Sequence, residues 1–126
     1  MKVLLSTLMF ILICSPCFAW DKEDTVMQVA VVSLLLADMS QTLYISDHGD
    51  EYRELNPILG EHPSKNEVYT YFALGIIAHT AISYLIEKIP FIENPKKWRR
   101  IWQGSFIIVE GGVVARNSMI GIGFSY

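Results

Sequence analysis

Three apolar stretches of about 20 residues alternate with two short polar ones, and each is long enough for a helix rising about 1.5 Å per residue to cross about 30 Å of hydrocarbon. They run from about residue 25 to 45, 68 to 86 and 101 to 124. Helices are the economical solution in such stretches, because lipid offers no partner to a backbone N–H or C=O. Residues 46–67 form an acidic connection with turn signals at Gly49, Asn56-Pro57, Gly60 and Pro63. Residues 87–100 form a basic one carrying Lys88, Lys96, Lys97, Arg99 and Arg100. Trp98 and Trp102 suit an interfacial anchor for the third helix, and the cluster from Lys96 to Arg100 reads as a topology and lipid-headgroup signal.

A further apolar run, Val3 to Ile13, follows the single Lys2 and precedes Pro16, the small residues Cys17 and Ala19, and a charged Asp-Lys-Glu-Asp stretch. That layout predicts a secretory signal over residues 1–19, with an uncleaved anchor as the alternative, and one membrane domain over 20–126. Both cysteines, Cys14 and Cys17, fall in this segment, so the processed chain would carry no thiol chemistry.

Composition moves the picture the same way. With 126 residues, 52% of them apolar, and a mean hydropathy of +0.32, the chain has room for one domain and is too apolar for an ordinary soluble one. A net charge of -3, dispersed along the chain, excludes a nucleic-acid partner. The expected fold is therefore all-α, a membrane bundle of three transmembrane helices after an N-terminal signal or anchor, in a bacterial inner membrane. Positive-inside reasoning puts the basic second connection in the cytoplasm, whereas a cleaved signal followed by three spans puts it outside. The two expectations conflict, and the charge rule is the one followed.

Polar groups inside the spans are the candidate chemistry. The first span holds Asp38, Gln41 and Thr42, with Asp38 sharing a helix face with each of the other two. The second holds His79, and the third Glu110, Arg116 and Asn117. A charge at bilayer depth costs about 2.5 to 3.5 kcal/mol unless it pairs or meets water, so the expected pairs are Asp38 with Arg116 and His79 with Glu110. Glu54 and Asn56 of the first connection are expected to fold back over the same polar centre. The plainer expectation is that these residues, with Gly111-Gly112, only hold the helices together. The remaining acidic and histidine residues of the first connection read as a solvated loop, without ligand spacing for zinc or calcium.

At Asp38, Gln41-Thr42 and Glu54-Leu55-Asn56-Pro57 the chain resembles small uncharacterised prokaryotic membrane proteins that pair an Asp-x-x-Thr-Thr-like helix end with a Glu-x-Asn-Pro turn. The resemblance covers the first half of the processed chain, with Gln41 standing where the pattern has Thr. It implies membrane class and marks Asp38, Glu54 and Asn56, without implying an activity.

Three functions fit these residues. The favoured one is a non-enzymatic accessory or interaction protein, associating with the bilayer and with itself or a membrane partner through its helices. The second is an intramembrane hydrolase acting on a lipid or membrane-embedded substrate, with His79 as general base oriented by Glu110, Arg116 holding an anionic headgroup, and Asp38 and Glu54 completing a metal site. The third is a lysis or permeability protein. No dinucleotide, P-loop, zincin or nucleophile-elbow motif is present, so the sequence names no cofactor and leaves the metal unknown.

Overall fold

The computed structural model describes residues 20–126, and both the expected signal and the cysteine pair lie outside the described residues. Those described form three long helices and no strand: α1 (Lys22–Asp47), α2 (Lys65–Leu85) and α3 (Pro95–Met119), with a single 3-10 turn (Ile86–Lys88) ending α2.

Local chemistry sets each helix start several residues ahead of its apolar run. Asp21 caps α1, its side chain accepting from the Asp24 backbone while the Asp24 side chain accepts from the Asp21 backbone. Ser64 and Glu67 form the same reciprocal box at α2. Asn94 caps α3 ahead of Pro95 at its first turn. The third helix therefore spans Pro95–Met119 and not 101–124 as hydropathy suggests. It stops at Ile120 because Gly121 takes φ +90 and the Ile122 N–H returns to the Asn117 carbonyl at 3.0 Å. The chain then folds back along α1, where the Ser125 N–H meets the Ser40 carbonyl and the Ser125 hydroxyl meets Asp47, each at 3.0 Å.

The three helices alternate in direction, leaving α1 and α3 parallel. Their seam is built from small residues one heptad apart: Gly104 faces Met27, Gly111 faces Leu34, and Ser118 accepts from Gln41 at 3.0 Å. A constant offset at seven-residue intervals is the register of a parallel coiled pair, and glycine lets the two backbones approach. On the other side of α1, Val31, Leu35 and Leu43 pack with Val68, Phe72 and Ile76 of α2. The backbones of α2 and α3 both lean on α1, and the two meet each other chiefly through side chains near the start of α3.

The interior is markedly polar. Among the described residues nine buried ones are hydrophobic and nine are polar or charged, while Ile108 is 76% and Leu74 61% exposed on the outside. That distribution fits lipid as the outer solvent. By length and composition α1 and α2 are each apolar enough to cross a membrane. α3 is not in that class: beyond the basic residues of its first turns it still carries Gln103, Glu110, Arg116 and Asn117.

Candidate functional site

Polar side chains gather at two levels of the bundle. At the end where α1 and α3 begin and α2 finishes, Gln28 of α1 is the hub. Its Oε1 accepts from the Ser83 hydroxyl at 3.3 Å and from Gln103 Nε2 at 3.1 Å. Its Nε2 donates to the Thr80 hydroxyl at 3.0 Å and to Nδ1 of His79 at 3.2 Å. Beneath it the guanidinium of Arg99, wholly buried, donates to Asp24 at 2.6 Å and to the Ser83 carbonyl at 3.0 Å, and pairs with Glu87. Arg100 and Lys96 reach Asp21, and Arg100 also reaches Glu23. Two parallel helix N-termini bring two positive dipole ends and four basic side chains together, which the acidic start of α1 offsets.

Hydropathy alone misses this assembly. Arg99, expected as part of a headgroup signal, is an interior residue, because Asp24 and Glu87 meet its charge. The assembly's traces in the sequence are Gln28, His79 and Gln103, polar residues that each interrupt an apolar stretch. Asp24 and Arg99 look like solvated helix ends until the helices are laid side by side.

The second level is a cleft of about 810 Å³ between α2 and α3, whose backbones approach α1 more closely than they approach each other. Asp38, Glu54, Asn56, His79, Glu110, Arg116 and Asn117 all line it, together with apolar walls from Phe72, Leu74, Ile82, Phe106 and Val113. Gln41 does not: it turns to the α1–α3 seam, where its amide donates to the Val114 carbonyl at 3.2 Å and to Ser118.

Neither expected pairing forms. The Asp38 carboxyl adjoins Glu110, with Glu54 nearby, and no ion pair joins it to Arg116 among the described residues. His79 sits at the Gln28–Gln103 level, and Glu110 is seven residues, or about 10 Å, further along α3. The His79 ring stacks on Trp102 at 5.2 Å and meets the edge of Phe106 at 4.5 Å, while its Nε2 has no hydrogen-bond partner among the described residues. Since Gln28 donates to Nδ1, the ring proton belongs on Nε2, making that atom a donor and not a base.

The first connection is fixed over the cleft mouth. The Glu54 carboxylate accepts from the Asn56 backbone at 2.8 Å, the Asn56 side chain accepts from Ile58 at 3.0 Å, and the Glu54 N–H reaches the Glu61 carbonyl at 3.0 Å. Tyr52 ties the same loop to the Gly121 carbonyl at 3.4 Å. No three histidine, cysteine or acidic side chains converge as metal ligands among the described residues. Comparison with protein-family models, curated proteins and solved structures found no match for this chain.

Proposed function

We propose that the chain is an integral membrane protein of three spans that holds an amphipathic lipid in the cleft between α2 and α3 and serves as a binding or accessory component, with no catalysis of its own. One observation carries this reading. The cleft of about 810 Å³ has apolar walls along its length and a cluster of carboxyl, guanidinium and amide groups toward the first connection. A lipid has the same division between tail and head, and a concave apolar site with a few convergent polar groups is the usual form of a ligand site. The third span is supported by the direction of α3, which runs parallel to α1 over 25 residues, about 38 Å.

Hydrolysis is the weaker reading, since the histidine it needs as a base takes a hydrogen bond from Gln28 on its only bare nitrogen. Mass spectrometry of protein purified in a mild detergent tests the binding reading. The expected result is at least one lipid retained per chain, lost in Gly75→Phe. Gly75 lines the cleft and a Cβ there meets no atom within 4 Å, so the aromatic ring occupies ligand space without displacing protein. A variant that keeps its lipid sinks the proposal.

A further inference from the structure

The charges on the cleft wall select among lipids. Asp38 and Glu110 stand with their carboxyls adjoining and Glu54 close by, yet the neighbouring protein cation, Arg116, pairs with none of them among the described residues. Two adjoining carboxyls in a medium of low dielectric are stable only when a proton or a cation lies between them. Both Asp38 and Glu110 are only partly buried and line the cleft, so the pair is reachable from it.

Resting on the lipid-binding reading above, we infer that the cleft takes a phospholipid whose headgroup bears a primary amine, with the ammonium held between Asp38 and Glu110. A primary ammonium presents three N–H donors, enough to bridge two carboxylates and neutralise their charge at once. A quaternary ammonium brings the charge without the donors, and a glycerol head brings hydroxyls without the charge. Metal is the poorer occupant, because no third ligand converges on the pair. Arg116, about three residues from the end of α3, lines the same cleft nearer its mouth.

The test is competitive retention. The full chain is equilibrated in mixed bilayers of phosphatidylethanolamine, phosphatidylcholine and phosphatidylglycerol with matched acyl chains, extracted in mild detergent, and its bound lipid quantified. The expected order is ethanolamine over choline over glycerol, with about a tenfold preference for the first over the last, the scale of one charge-assisted hydrogen-bonded contact. Asp38→Asn and Glu110→Gln, made separately so that one folded variant suffices, should each remove the preference, so that the three headgroups are retained to similar extents. Equal retention of the three lipids, a preference for glycerol, or a preference that survives both variants overturns the amine assignment. Gly75→Phe separates the two levels: if it abolishes binding of lipids bound without preference, only the headgroup inference falls. If it leaves lipid bound, the cleft itself is not the site.

Discussion

Nε2 of Gln28 lies 3.2 Å from Nδ1 of His79, and this contact fixes which nitrogen of the histidine holds the proton. The amide cannot turn over, since its oxygen faces Nε2 of Gln103, which the Asp24 carbonyl holds as a donor. The amide nitrogen is therefore the donor and Nδ1 the acceptor. Nitrogen NMR of the protein in micelles at neutral pH should find Nε2 protonated and Nδ1 bare. Gln28→Leu removes a partner from His79 and Gln103 together, at about 1–3 kcal/mol for each buried group left unmet. Thermal unfolding in detergent should register that loss, whereas Ser33→Ala, which removes only a bond to the Val29 carbonyl on an exposed face, should change little.

Much of this arrangement is legible in the sequence, for physical reasons that also mark where legibility ends. Hydropathy finds helices because apolar length is a local property, and it places Asp38, Glu110 and His79 inside because each interrupts an apolar run. It misplaces α3 by about six residues, because the capping Asn94 and Pro95 act on backbone geometry that hydropathy does not see. It mispairs His79 with Glu110, because register between helices is set by the Gly104 and Gly111 seam with Met27 and Leu34, a property of two segments at once. Arg99 shows the limit most clearly: a basic cluster looks the same in sequence whether it meets headgroups or two carboxylates.

Arg99 is held by Asp24 and Glu87 with no exposure, and a buried pair broken on one side leaves a bare charge. Asp24→Asn should destabilise the folded protein by about 3–5 kcal/mol. Arg99→Lys should be similarly costly although the charge is kept, since a point ammonium cannot reach Asp24, Glu87 and the Ser83 carbonyl as the planar fork does. Denaturation in mixed micelles measures both, and a lysine variant as stable as the parent contradicts the argument.

The α1–α3 seam discriminates by size. A Cβ on Gly111 would stand 4.0 Å from Cδ1 of Leu34, an ordinary contact, so Gly111→Ala should be neutral or slightly stabilising. Gly111→Ile forces the helices apart at a cost of about 1–3 kcal/mol and should also loosen Gln41 from Ser118. Comparing the melting temperatures of the two variants checks the heptad register.

Acid should weaken the base of the bundle through Asp21. The hydrogen bond from Lys96, aided by the Asp24 backbone N–H and opposed by partial burial, pulls its carboxyl from 3.8 down to about 2. A carboxylate with a depressed folded-state value contributes stability above its ordinary value and loses it as pH falls through the folded one, so the window is pH 4 down to 2. Asn also caps helices, so Asp21→Asn keeps the start of α1 while discarding the ion pairs with Lys96 and Arg100. Melting followed from pH 6 to 2 should show wild type and variant converging at the acid end, and a constant gap between them refutes the assignment.

The direction of α3 makes the sharpest demand on topology. Its N-terminal turns are bound to the start of α1 through Arg99 and Asp24, and the tail beyond it is bound to the far end of α1 through Ser125 and Asp47. If α1 and α2 cross the bilayer, α3 cannot lie flat against one surface without breaking one of these attachments. Reporter fusions at Asp50 and Pro95 should therefore read opposite sides, and one after Tyr126, which is 96% exposed and tolerant of an extension, should read the same side as Asp50. The absolute side also matters: Lys96, Arg99 and Arg100 are paired with carboxylates, so these cations are less free to hold the second connection in the cytoplasm. A Tyr126 reporter on the Pro95 side reduces the protein to two spans and removes the membrane-embedded cleft with the third.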